Sequence, residues 1–129
     1  MRRLIDATPP REARDFLFVA RVKLAMQQYD SAIAVHTDGL KRLPKNCQLW
    51  QELGTVYATK GDAATALATF DKGIAAVPKC GLNYNEAARL LINQNRIPEA
   101  KQKLDTLIQI APLSDGAAIA KEILASMPK

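Results

Sequence analysis

Apolar residues recur along most of this chain at the spacing of one helix face, and the pattern itself repeats. Trp50, Leu53 and Tyr57 stand at i, i+3 and i+7, a single helical stripe. Ala32, Ala66 and Ala100 lie 34 residues apart, and so do Pro44, Pro78 and Pro112. These two columns divide the chain into units at 13–46, 47–80 and 81–114, each reading as a pair of helices. The prolines end the second helix of each unit, because the residue before a proline is biased away from helical backbone. Within the middle unit Gly61-Asp62 separates the two helices: Gly61 tolerates a positive φ and Asp62 suits the next N-cap. One helix pair cannot bury its apolar stripe alone, so neighbouring units must stack.

The ends read differently. From Ser114-Asp115 to Met127-Pro128 one more helix is predicted, with Ala118, Ile119, Ile123, Leu124 and Met127 on its apolar side and Lys121 and Glu122 facing water. A polar-backed helix closes a stack; the first half of a further, truncated unit is the competing reading. Residues 1–12 contain Pro9-Pro10 and no clear period, which predicts an extended lead-in. The expected architecture is therefore all-α: seven helices, as three pairs and a capping helix over 115–129.

The middle unit carries Trp50, Leu53, Gly54, Tyr57, Gly61-Asp62, Ala66, Phe70 and Pro78. The first has Phe16, Val19, Ala20, Tyr29-Asp30-Ser31-Ala32-Ile33 and Pro44, and the third has Tyr84, Ala87, Ala88, Ala100, Leu104 and Pro112. In period and signature residues these units resemble the tetratricopeptide repeat, and the resemblance covers 102 of 129 residues. It implies a right-handed α-solenoid of stacked antiparallel helix pairs. Ala20, Gly54 and Ala88 are the small residues that let the paired helix approach, and Ala32, Ala66 and Ala100 do the same from the second helix. The first unit departs most from the pattern: Lys23 stands where the family has an aromatic, and His36 and Gly39 replace an aromatic and an alanine. Asn95 takes the place of the inter-helix glycine in the third unit, and asparagine also tolerates left-handed backbone. Pro98 falls in the first turn of its helix, where proline is tolerated.

Composition narrows the function. Apolar residues are 48% of the chain and charged residues 24%, a soluble globular balance, and no apolar run approaches the ~20 residues of a membrane-spanning helix. The Arg2-Arg3 pair has no apolar stretch behind it, so neither a secretory nor a twin-arginine signal is read. The address stays unknown from the residues, with the cytoplasm favoured over the alternatives, and the chain is open to being a piece of a longer protein. The net charge is +5, of which residues 13–46 carry +3. Lys41, Arg42 and Lys45 in that stretch sit at a predicted helix end, where cations complement the helix dipole. Only seven residues are aromatic, not the basic stripe interleaved with aromatics of a nucleic-acid surface. No nucleic-acid partner and no membrane insertion are expected.

No catalytic constellation is present. The chain lacks a G-x-S-x-G elbow, a phosphate-cradling glycine loop and a His–Glu pair at metal spacing. With His36 as the only histidine, imidazole-based metal sites are disfavoured and a packing role is expected for it. No enzyme activity, cofactor or metal is expected. Cys47 and Cys80 match no zinc or redox spacing; placed at the corners before successive units, they are expected to be too far apart to bridge and to stay reduced.

Binding is the remaining function, and the resemblance implies where. In tetratricopeptide folds the first helix of each pair lines the concave face. The matching positions are Arg14, Leu17, Phe18, Arg21 and Leu24 in the first unit, and Gln48, Gln51, Glu52, Thr55 and Thr59 in the second. In the third they are Leu82, Asn85, Glu86, Arg89 and Asn93. Leu17 and Phe18 form a candidate apolar pocket beside Arg14 and Arg21, and Asn85 and Asn93 are candidate hydrogen-bonders to a peptide backbone. Family members that hold chaperone C-termini use a clamp of lysines, asparagines and an arginine. This chain has Leu17, Arg21, Glu52, Leu82 and Glu86 there, which disfavours a chaperone C-terminus. Glu86 and Arg89 at i,i+3 are also placed to pair with each other, and Glu52 with Arg21 or Arg89. The expected function is a protein-interaction module that binds a peptide segment of a partner in its groove. The alternative is a structural assembly module that stacks through its end faces, on other repeats or as a homo-oligomer.

Overall fold

The structure is a computed structural model and describes residues 12–127. Apart from Glu12, the lead-in expected over 1–12 lies outside the described residues, as do Pro128 and Lys129. Among the described residues there are seven α-helices and no strand: α1 (Ala13–Ala25), α2 (Tyr29–Arg42), α3 (Cys47–Lys60), α4 (Ala63–Ala76), α5 (Gly81–Asn93), α6 (Ile97–Ile110) and α7 (Asp115–Ser126). They form a right-handed α-solenoid of three antiparallel pairs closed by α7. The first helices approach one another directly, α1 to α3, α3 to α5 and α5 to α7. The backbones of the second helices stay further apart, with α4 and α6 bridged by the ion pair of Lys103 with Asp71 at 2.6 Å. The side where helices lie closer is the inner side of the curve.

Repeated local devices set these boundaries. The turn inside each pair places one residue in left-handed backbone: Gln27 at φ 60°, Gly61 at φ 99° and Asn95 at φ 60°. The next amide then reaches back five residues, from Gln28 to the Lys23 carbonyl at 2.8 Å, Asp62 to Tyr57 at 2.9 Å and Arg96 to Leu91 at 2.8 Å, which satisfies a helix-end carbonyl. The second helices end at Leu43, Val77 and Ala111, each extended in φ and each followed by a proline. Three helix starts carry side-chain caps: Asn46 accepts from the Leu49 amide at 3.0 Å, Asp62 from Thr65 at 3.2 Å and Ser114 from Ala117 at 3.1 Å.

Small residues bring the paired helices together. Ala20, Ala88, Ala32, Ala66 and Ala100 are all buried. At Gly54 a β-carbon would lie only 2.3 Å from the Phe70 ring, so that crossing has room for glycine alone. The aromatic that opens the second and third pairs is also pinned: the Trp50 indole donates to the Pro44 carbonyl at 2.9 Å and the Tyr84 hydroxyl to that of Pro78 at 2.7 Å.

Two expectations are corrected. Cys47 and Cys80 are joined in a disulfide, with Cα atoms 6.4 Å apart. Cys47 opens α3 and Cys80 is the N-cap of α5; stacking superposes those helix starts and brings the pair within the usual reach of a bridge. The buried side of α7 is turned from the expected one. Ala117 and Ala120 face inward, Ile123, Leu124 and Met127 pack partly buried, and Ala118 and Ile119 are exposed. The reason is the contact of Gly116 with Gly81, where an added β-carbon would sit 2.7–2.8 Å from the opposing Cα. That approach selects which face of α7 meets α5.

Candidate functional site

The inner face is built from α1, α3 and α5, and most of its charges are already paired. The Arg21 Nε donates to Glu52 Oε1 at 2.9 Å and a second guanidinium nitrogen donates to Glu52 Oε2, a fork that joins α1 to α3. The hydrogen bond and charge of Glu52 push the Arg21 guanidinium up. Gln48 Nε2 also donates to Glu52 at 3.3 Å. Gln51 Nε2 donates to Thr55 Oγ1 and to Glu86 Oε2, each at 3.3 Å, and so links α3 to α5. Glu86 pairs in turn with Arg89 at 3.6 Å. At the start of α1 Arg14 pairs with Glu12 at 3.0 Å, both side chains well exposed. Glu52 thus takes Arg21 and not Arg89, and Glu86 and Arg89 meet within one helix.

Two of the expected contact residues face the core. Leu17 is 6% exposed and packs with Phe16, Leu40, Leu49 and Leu53, so it offers no surface to a ligand. Asn85 is 4% exposed; its amide donates to the Gly116 carbonyl at 3.1 Å and holds α7 in place. The others remain at the surface: Arg14, Phe18, Arg21, Gln48, Leu82, Arg89 and Asn93 are exposed, and Gln51, Glu52, Thr55 and Glu86 half-buried. Phe18, at 68%, is the most accessible aromatic ring on that face.

Between α1 and α3 the face opens into a cavity of about 180 Å³, lined by Ala20, Arg21, Leu24, His36, Gln51, Glu52, Thr55 and Val56. Its unexpected member is His36, which comes from the second helix of its pair and reaches the cavity beneath Ala20. It is 1% exposed, and its Nδ1 is buried without a hydrogen-bond partner among the described residues. Burial holds the imidazole below its usual titration range, opposed by the charge of Glu52 and reinforced by that of Arg21. The signal in the sequence was the column His36, Phe70 and Leu104, in which only the first member is polar. Among the described residues no group of three or more His, Cys, Asp or Glu side chains is placed to hold a metal ion, and no helix is long and apolar enough to cross a membrane.

Three helix pairs in one 34-residue register, each with the same turn and the same small-residue crossing, find a counterpart among known sequences. A TPR-containing protein of Dictyostelium discoideum is 31% identical over 97 residues, covering 75% of this chain and 7% of that protein. The chain belongs to the tetratricopeptide-repeat family. It spans a small part of the relative's length, and no protein-family model matches it. Solved tetratricopeptide structures share the fold at low identity. The first TPR of Spaghetti (RPAP3), bound to the HSP90 peptide SRMEEVD, is 19% identical with a TM-score of 0.63, covering 89% of this chain and 97% of that one. PcrH in complex with the chaperone binding region of PopD is 14% identical with a TM-score of 0.70, covering 88% of each chain.

Proposed function

We propose that this tetratricopeptide-repeat chain is a protein-interaction module that holds a peptide segment of a partner along the inner face of α1, α3 and α5. The repeat units are taken as 13–46, 47–80 and 81–114, with a closing helix from 115. The observation that carries the reading is the state of the first pair's inner surface. Among the described residues Phe18 is exposed one turn before Arg21, beside an open cavity, while Arg14 and Arg21 are already engaged. Apolar anchors carry most of the affinity at such surfaces, and exposed charges act more on encounter rate. Two fold neighbours were solved with peptide partners, an HSP90 peptide and the chaperone binding region of PopD. An acidic chaperone C-terminus is not the ligand we propose: of the five clamp positions, Leu17 is buried, Leu82 is apolar, Glu52 and Glu86 are acidic, and Arg21 is forked to Glu52.

The test is selection of peptides from a display library on the folded chain, followed by titration against the parent, Phe18→Ala and Arg21→Ala. Phe18→Ala weakens binding more than Arg21→Ala, and raised salt weakens it only in part. Selected peptides that bind Phe18→Ala like the parent and are lost in salt overturn the anchor.

End-face assembly has its own supporting observation. Phe18 and Val22 on α1 and Met26 at its C-cap are exposed at i, i+4 and i+8. In the second pair the same register holds Glu52, Val56 and Lys60, where Glu52 bonds Arg21, Val56 is buried and Lys60 pairs with Asp30 at 3.0 Å. An outer edge that is apolar where interior edges are paired suits a further helix. Sedimentation decides between the two: a concentration-dependent dimer abolished by Met26→Glu favours assembly, and a monomer whose peptide binding ignores Met26→Glu favours the groove.

A further inference from the structure

The first pair differs from the other two at its helix crossing. In a 34-residue register Ala20 crosses His36, Gly54 crosses Phe70 and Ala88 crosses Leu104. All three second-helix side chains are buried. In the second pair the Phe70 ring fills the crossing so completely that no β-carbon fits at Gly54. In the first pair a smaller imidazole occupies the same place, and a cavity of about 180 Å³ remains beside it. A cleft with room to spare and a buried imidazole, one of whose nitrogens has no partner among the described residues, therefore lie side by side. A ligand with an apolar body and a hydrogen-bonding tip would suit that wall.

We infer that the cavity between α1 and α3 is a side-chain pocket for a phenol, the ring and hydroxyl of a tyrosine in the bound segment, with His36 as the residue that selects the hydroxyl. Size sets the first limit, since a cavity of about 150 Å³ takes one benzene ring. The walls set the second: Ala20, Leu24 and Val56 are apolar, and Arg21 and Glu52 neutralise each other, so the pocket favours a neutral group. The planar Arg21 guanidinium, held by its fork to Glu52, also offers a face for an aromatic ring to stack on. Chemistry sets the third: a neutral imidazole has one donor and one acceptor nitrogen, and a hydroxyl both donates and accepts, so it can serve whichever nitrogen is open.

The inference rests on the reading of the inner face as a peptide groove, but free side-chain analogues test it separately. The probes are p-cresol, which is the tyrosine side chain, and toluene, which is that of phenylalanine. Each is titrated into isotope-labelled protein while the His36 ring nitrogens and the Thr55 and Val56 amides are followed by NMR. We expect saturable shifts with p-cresol and binding about tenfold weaker with toluene, because a site built to bond a hydroxyl rejects the analogue that lacks it. His36→Phe, which copies the second pair, keeps the fold by circular dichroism and loses the preference. Equal binding of the two probes, no saturable shift with p-cresol, or an unchanged preference in His36→Phe overturns the pocket. If p-cresol fails while library peptides still depend on Phe18, the pocket is wrong and the groove stands. If p-cresol saturates at His36 while no peptide binds, the pocket stands and the groove reading is wrong.

Discussion

The first and second helix pairs share one architecture and treat it differently. In the second pair the local devices agree. Asn46 and Asp62 cap α3 and α4, glycine occupies the left-handed turn position, and Trp50 bonds the Pro44 carbonyl. In the first pair α1 and α2 start without side-chain caps among the described residues, Gln27 holds the left-handed position, and the crossing carries a histidine beside a cavity. The features suited to binding, Phe18 and the His36 cavity, fall in that less regular pair. Agreement of local and global preferences makes a stable element, and departures concentrate where function needs them. The comparison teaches that the middle pair carries stability and the first pair carries exposed chemistry.

The largest effect expected is from the disulfide. The Cys47–Cys80 bridge closes a loop around the second pair and leaves the first outside it. Chain-entropy reasoning for a loop of this size gives a stabilisation of about 2–4 kcal/mol. Reduction should lower the melting temperature, and hydrogen exchange should accelerate in α3 and α4 more than in α1. Exchange that speeds up equally in both pairs would mean that they do not differ in the way proposed.

Next is the crossing itself. Gly54→Leu should cost about 3 kcal/mol, because even a β-carbon there collides with the Phe70 ring. Ala20→Leu, the same position in the first pair, should cost less, since the cavity beside His36 can accept the added atoms. Denaturant melts of the two variants measure the difference; equal losses would break the comparison at its centre.

A smaller, pH-dependent loss should mark the first pair alone. Burial lowers the His36 pKa from its ordinary 6.5, with Glu52 opposing and Arg21 assisting. The folded chain therefore resists a proton that the unfolded chain accepts. The stability this group contributes is present above pH 6.5, falls as pH drops from there to the lowered folded value, and changes no further below it. Melts at stepped pH should show this fall in the parent and not in His36→Phe. A slope that persists in His36→Phe assigns it to other groups.

These contrasts also explain what could be read from residues alone. The fold was legible because prolines and alanines mark each unit at a constant interval, and because Gly61 and Asn95 are residues that take left-handed backbone readily. The site was legible only to the level of helix faces. Leu17, Gln51 and Asn85 hold the same position in successive units, at the boundary between core and groove. Whether such a position is buried depends on what lies across it: the Leu40 and Leu49 side chains over Leu17, the Gly116 backbone over Asn85, and open cavity beside Gln51. The cavity floor escaped because His36 belongs to a second helix, and the disulfide escaped because its cysteines are 33 residues apart and meet only through stacking.

The smallest effect expected comes from the turn, and it runs in the opposite direction. Gln27, Gly61 and Asn95 occupy one register and all have positive φ, but the three residues do not bear it equally. A side chain in left-handed backbone crowds the following carbonyl, which glycine avoids and asparagine partly relieves by local hydrogen bonding. Glutamine has neither advantage. Gln27 is exposed, so its replacement removes no core packing. Gln27→Gly should therefore stabilise the chain by about 0.5–1 kcal/mol, the relief of strain exceeding the extra freedom that glycine gives the unfolded state. Asn95→Gly should gain less, and Gly61→Gln should lose about what Gln27→Gly gains. Denaturant melts of the three variants place the turns on one scale. If Gln27→Gly is neutral or destabilising, the turn of the first pair is no weaker than that of the second, and the irregularity of the first pair lies in its crossing and caps alone.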